Sequence, residues 1–346
     1  MLNEILENMV ISSLAGNFSR SPKQINKLQE TDAELIRLAP GSETLLAVTT
    51  DSLAEEISSG LYEDPYLIGW MIVMVNMSDL AAVGASPLGI LVSEVLPTGM
   101  PDGACQELQR GINDASALCG TYVLGGDTNF GRELLMTGCS LGILEKGHHN
   151  SRVGCQPGDV LYTTGKLGRG NAFALSRFVC RNGDSLTYKP AARTVEGRSL
   201  LGVASACMDT SDGVLATLDQ LMRLNGVGFH IDPDWENVLD ADSRKLANAL
   251  GIPPWLLLAG HHGEFELLFT VPECLCETLS EVARCENWSP IRLGLVTGEC
   301  AIRLPLYGRN HDLDTAEIRN LASQLNLDVE SYMASLLRID ERMRGS

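Results

Sequence analysis

Apolar positions along the chain fall into runs whose period alternates between two and about 3.6, separated by polar breaks. Thr44 to Thr50 reads as a short strand ending at Asp51, and Leu88 to Leu96, Tyr122 to Leu124 and Leu134 to Leu144 read as further strands. Two helices are predicted among them. Asp64-Pro65 provides an N-cap and a proline at the first helical position, and the helix beyond it carries Ile68, Met71, Ile72, Val75 and Val83 on apolar faces. Pro101 opens the second, which runs through Leu118 with Leu108, Ile112 and Ala115 at helical spacing. Residues 1 to 30 read as a helical, polar leader.

The pattern breaks between residues 145 and 158, where Gly, His, Asn and Pro replace the apolar runs, so a domain boundary is expected there. The second half opens with the strand Val160 to Thr164 and the loop Gly165-Lys-Leu-Gly-Arg-Gly170. Helices are expected around 171 to 180, 194 to 206 and Val214 to Leu224. Strands are expected at Gly228 to Ile231, Phe265 to Val271 and Ile291 to Val296, and a charged helical tail from Asp312 to Met343. This mixture predicts an α/β or α+β enzyme.

Composition narrows the function classes. At 346 residues, two domains are expected, and 45% hydrophobic with 20% charged residues is ordinary for a folded chain. The net charge of −18 argues against nucleic acid or an anionic membrane as partner. Residues 1 to 20 lack a secretory pattern, and the longest apolar segment, Tyr66 to Ala85, is interrupted by Asn76, Ser78 and Asp79. The ten cysteines form no Cys-x-x-Cys pair, which favours reduced, buried structural thiols and a cytoplasmic location.

Candidate chemistry lies in aspartates at the ends of apolar elements: Asp51, Asp79, Asp127, Asp209 and Asp212. An ionised carboxylate in an apolar helix, as at Asp79, costs several kcal/mol unless it is paired or metal-bound. Clustered carboxylates raise one another's pKa, and a hard divalent cation shared with phosphate oxygens removes that conflict. A magnesium–polyphosphate site is therefore expected. Gly125-Gly126-Asp127-Thr128 and the 165–170 loop would allow close backbone approach to an anion. No P-loop, Rossmann fingerprint or Gly-x-Ser-x-Gly elbow is present.

Six ordered segments resemble the thiamine-monophosphate kinase family of the aminoimidazole-ribonucleotide (AIR) synthetase-related superfamily. They are Thr50-Asp51-Ser-Leu, Asn76-Met-Ser-Asp-Leu-Ala-Ala-Val-Gly-Ala-Ser-Pro87, Gly125-Gly-Asp-Thr128, Arg152 with Pro157-Gly-Asp-Val, Asp209-Thr-Ser-Asp-Gly213 and Gly263-Glu-Phe-Glu-Leu-Leu-Phe-Thr-Val271. The resemblance implies a two-domain AIR-synthetase-like fold. An N-terminal α/β domain (1–148) would bind ATP and metal and pair in a homodimer, followed by a C-terminal α/β domain (149–346). ATP and Mg²⁺ would lie in the cleft between them. It implies metal ligation by Asp32, Asp51, Asp79, Asp127 and Asp212, with Asp212 and Arg152 catalytic. Nucleotide contacts would come from Thr50, Gly125, Gly126, Thr128, Lys166 and Ser211.

The chain departs from the family pattern at three places. Glu30-Thr-Asp-Ala-Glu34 stands for Gly-x-Gly-Asp-Asp, Glu55-Glu-Ile-Ser-Ser-Gly60 for a His-Phe segment, and Gly260-His-His-Gly-Glu-Phe265 for Gly-Gly-Glu-Asp-Tyr. Glu34, His261 and His262 are candidate compensating residues. The leading expectation is transfer of the ATP γ-phosphoryl group to a small phosphate acceptor, thiamine monophosphate being the nearest candidate. The alternatives are ATP-driven activation of an amide or carbonyl oxygen, and a non-catalytic nucleotide-binding protein.

Overall fold

The computed structural model describes residues 3–145, 147–179, 186–232, 234–324 and 329–345. Helix α1 (Leu6–Ala15) precedes β1 (Glu34–Arg37), β2 (Leu45–Ser52), α2 (Ala54–Ser58), α3 (Pro65–Ala82), β3 (Ser86–Pro97), α4 (Asp102–Leu118), β4 (Val123–Gly131) and β5 (Leu135–Leu144). These strands form one sheet in the order β1-β2-β5-β3-β4, antiparallel except for the parallel β3–β4 edge. Alternation sets its faces: Leu45 and Ala47 of β2 are buried, and Thr49 and Asp51 continue that face toward the strand's end.

The chain crosses to a second sheet between Leu144 and Val160. There follow β6 (Val160–Thr163), α5 (Arg169–Phe178), α6 (Thr194–Ser199), β7 (Ala206–Asp209), α7 (Val214–Asn225) and β8 (Gly228–Ile231). Short helices α8 (Trp235–Val238), α9 (Ala241–Leu250) and α10 (Leu256–Ala259) lead to β9 (Leu267–Val271). The chain ends with α11 (Cys276–Cys285), β10 (Ile291–Thr297), β11 (Ile302–Leu306), β12 (Arg309–Leu313), α12 (Thr315–Gln324) and α13 (Val329–Gly345). The second sheet runs β12-β11-β8-β10-β6-β9-β7.

Helix α3 joins the two halves. Asp64 caps it, accepting from the Tyr66 N–H at 3.2 Å, and Pro65 starts it, as the sequence predicts. It packs on β2 and β5 on one side and on β7 and α6 on another, with α4 against it as well, so it is apolar nearly all round. By length and composition it could cross a membrane; its burial between layers accounts for that composition. Gly69 lets α4 come close, since a Cβ there would lie 2.0 Å from the Leu108 carbonyl oxygen. Asn76, Ser78 and Asp79 are the polar residues of its second half, and they lie where the two sheets meet.

Several expectations change. The leader is helical only over α1, and the 194–206 helix stops at Ser199 because β7 needs residues 206–209 as a buried edge strand. The tail begins as strand β12, paired with β11, before turning helical. The described cysteines are all free, but Cys274, Cys285 and Cys300 are exposed rather than buried; Cys180 lies outside the described residues.

Candidate active site

Three acids from distant parts of the sequence meet beside α3. Asp32 comes from the turn before β1, Asp79 from the last turn of α3, and Asp209 from the end of β7. Each places a carboxylate oxygen within 4.8 Å of the others. Local hydrogen bonds fix the geometry. Thr49 Oγ1 donates to Asp79 Oδ2, Ser78 Oγ donates to Asp209 Oδ2 at 2.7 Å, and Ser211 Oγ donates to Asp209 Oδ1 at 3.0 Å. Asp51, on the same face of β2 as Thr49, lies beside Asp79, close enough for the two carboxyls to share a proton.

The electrostatics of the group follow from crowding and burial. Burial, then Asp51, Asp209 and Asp32, hold the Asp79 carboxyl well above the usual range. Burial and Asp32 push Asp209 up to about 7, against the Ser78 hydrogen bond. Burial, with Asp212 and Asp32, raises Asp51. Arg152 provides positive charge: its Nη2 donates to Asp32 Oδ1 at 2.9 Å. Burial opposes that charge, but Asp32, Asp79 and Asp209 outweigh it and hold Arg152 above its ordinary value. The backbone places it there, because Asn150 N–H donates to the Val83 carbonyl and Arg152 N–H to the Glu30 carbonyl. One guanidinium does not balance these carboxylates, and their all-oxygen donor set suits a hard cation.

The other candidate residues are distributed differently from the sequence expectation. Asp212 is exposed and stays outside the trio, lining a neighbouring cavity with Ser211. Asp209, two residues before Ser211, takes the inward place because it ends a buried strand. Thr50, expected to contact the nucleotide, faces away from Thr49 and Asp51 and donates to the Gly138 carbonyl at 2.8 Å, while Thr49 is the threonine of this strand that faces the acids.

Asp127 and Thr128 lie on the exposed edge strand β4, where Asn129 donates to Asp127 and Thr128 donates to Glu94. With β5 and β3 between β4 and β2, Asp127 stands about 14 Å across the sheet from β2. Gly126 there serves strand packing, since a Cβ on it would lie 1.8 Å from the Val92 carbonyl oxygen, while Gly125 holds a φ of 149°.

The 165–170 loop is not an open anion cradle. Its Arg169 and Gly170 N–H groups donate to Glu264 Oε2, and Lys166 Nζ donates to the Glu236 carbonyl. Glu34 bonds Arg20 and Gln24 on the flank of β1. It does not compensate within the trio.

The cavity beside Asp212 has a volume of about 620 Å³. The departing segments 55–59 and 260–265 line it, together with α1, α7, α12 and α13. Phe265 in its wall is buried with φ of 59°, a strained setting for a bulky residue. Its neighbours pin it: Glu264 to the α5 amides, and Glu266 to Arg193 and to Thr164 Oγ1 at 2.6 Å. His262 is buried and pushed down to about 3 by burial and by His261, and burial lowers His261 as well. Both rings are therefore neutral near pH 7.

Two sheets bridged by a helix whose carboxylate meets another at a strand end define a class. Residues 30–144 match the family model "AIR synthase related protein, N-terminal domain". A crystal structure of tt0281 from Thermus thermophilus superposes with a TM-score of 0.73 at 26% identity, covering 86% of this chain and 96% of that one. AaThiL complexed with AMPPCP and TMP superposes at 0.72 with 20% identity, covering 90% and 99%. The thiamine-monophosphate kinase of Salmonella typhimurium is 31% identical over 254 residues, 70% of this chain and 75% of that protein. The chain belongs to the thiamine-monophosphate kinase family.

Proposed function

We propose that the protein is a magnesium-dependent kinase that transfers the γ-phosphoryl group of ATP to thiamine monophosphate, giving thiamine diphosphate and ADP. The observation that carries this reading is the meeting of Asp32, Asp79 and Asp209 next to a cavity of acceptor size, in a chain of this family. The donor set fits magnesium: the ligand atoms are carboxylate oxygens, and their mutual repulsion calls for a cation. Asp32, Asp79 and Asp209 would hold it, with Asp51 beside them. When bound, it supplies positive charge that offsets the phosphates.

The chain's own residues then bind and orient. Arg152 adds a fixed positive charge at the edge of the acid group, suited to the phosphate oxygens. Ser211 bridges the acid group and the cavity, with Asp212 next to it at the cavity wall. An acceptor phosphate is already anionic, so transfer needs no strong base and depends on alignment.

The same reading includes a homodimer formed through β4. Among the described residues this strand is an unpaired edge of its sheet; it carries Leu124 and Phe130, with Tyr122 just before it, all exposed. A free apolar edge is a template for another chain. Asp127 and Thr128 would then lie at the subunit interface.

The test is product analysis with ATP, Mg²⁺ and thiamine monophosphate. Thiamine diphosphate and ADP in equal amounts support the reading. ADP release without thiamine diphosphate moves the assignment to oxygen activation on another substrate, and no ADP from any acceptor moves it to nucleotide binding alone.

A further inference from the structure

The cavity beside the acid group has a charge pattern of its own. Glu55 and Glu56 of α2, Glu7 of α1 and Asp212 stand in its wall. Among the described residues no ion pair engages Glu55, Glu56 or Asp212. The one arginine in the lining, Arg319, is already held, with Nη1 2.9 Å from Asp219 and Nη2 3.4 Å from Glu7. His261 and His262 carry no charge near neutral pH. The Tyr332 hydroxyl is enclosed at this wall, in a residue 8% exposed; the His261 backbone N–H lies beside its oxygen, and among the described residues its own proton has no acceptor. Leu61, Leu256, Phe265 and Leu336 give the lining an apolar part.

We propose that Glu56, with Glu55, determines specificity by reading a positive charge on the organic body of the acceptor, and that Tyr332 gives that body one hydrogen bond. The inference rests on the kinase reading above. It predicts that the cavity takes a phosphate ester whose apolar body is a cation, with the phosphate turned toward Ser211.

The physical reason lies in what a neutral body would leave behind. A cation beside these carboxylates interacts in a partly apolar cavity, where charges attract more strongly than in water. A neutral body of the same shape would desolvate Glu56 without pairing it. Burial already raises the carboxyls of Glu56 and Glu7, which shows how poorly water supports their charge here. Arg319 cannot supply the missing partner, because buried Asp219 holds it.

The test is calorimetry on the full chain with Mg²⁺ and a non-hydrolysable ATP analogue. It compares thiamine monophosphate with its neutral thiophene isostere, for the wild type and for the Glu55→Gln/Glu56→Gln double variant. The expected result is about ten- to a hundredfold tighter binding of the cation by the wild type. The double variant should bind both ligands alike, with affinity for the nucleotide analogue unchanged. Glu56→Asp, which keeps the charge, should retain most of the preference. Equal affinity of the wild type for both ligands, or a preference that survives in the double variant, overturns the proposal. Thiamine diphosphate formation is measured separately. Its absence alongside an intact cation preference would count against the kinase reading while leaving the charge-reading role of Glu56 supported.

Discussion

Ser78 donates its hydroxyl to Asp209 across 2.7 Å, and through that bond a helix packed on the first sheet holds the last residue of a strand in the second. The next residue along the helix, Asp79, points a second carboxylate at the same place. The contact that joins the halves is thus also the contact that assembles the acid group.

The first consequence is a pH dependence with a definite sign. Asp209 is raised from 3.8 to about 7 and Asp79 is raised as well, so the folded chain binds protons more tightly than the unfolded one. The stabilising contribution of Asp209 is complete below about pH 4 and is lost as pH rises through about 7, and that of Asp79 runs in the same direction. Differential scanning calorimetry without metal should show Tm falling across that window from this source. On the proposed reading Mg²⁺ takes the place of these protons, so its stabilisation should grow as pH rises. A metal-free Tm that climbs steadily from pH 4 to 7 in the wild type, unaltered in Asp209→Asn, would show that these acids are not coupled.

Arg152 supplies fixed positive charge to that group, and Asp32 beneath it has a side chain only 1% exposed. Arg152→Ala should cost about 3 kcal/mol by leaving a buried carboxylate unpaired. It should also lower kcat/KM for ATP about 100-fold. Arg152→Lys should recover more stability than activity, since an ammonium keeps the charge but not the planar donor set. Chemical denaturation and steady-state kinetics measure the two effects, and an alanine variant at full activity would remove Arg152 from the site.

Much of this architecture is legible in the sequence, for identifiable reasons. The start of α3 is visible because Asp64 and Pro65 carry the capping chemistry themselves. The strands β2, β3 and β5 are visible because each has enough length for alternation to register. β7 has four residues, all buried, and gives no alternation to read. The acids are recognisable as a group, because charge at the ends of apolar runs needs an explanation. Their membership is not. Asp209 and Asp212 differ only in whether the strand or the following turn holds them, and nothing local in a single sequence marks that difference. Asp127 shows the same limit: its distance from β2 follows from strand order, which depends on the parallel β3–β4 pairing. Thr49 could have been found, since it shares the period-two face of Leu45, Ala47 and Asp51.

The exposed edge at β4 leads to a prediction about assembly. Phe130 is 76% exposed and Tyr122 is 74% exposed, beside a strand with no partner on its outer side among the described residues. Phe130→Asp should convert a dimer into a monomer in analytical ultracentrifugation while leaving the far-ultraviolet circular dichroism intact. A wild-type chain that sediments as a monomer at micromolar concentration would contradict the dimer, and so would a variant that remains dimeric.

The most direct measurement follows thiamine diphosphate by chromatography as Mg²⁺ is titrated, for the wild type and for Asp209→Asn. The wild type should form product only with the metal, and Asp209→Asn should be slower by about a thousandfold with its fold retained. Equal rates in the two proteins, or product formation by the wild type in excess chelator, would contradict the claim that these carboxylates gather a cation and the phosphates at one place.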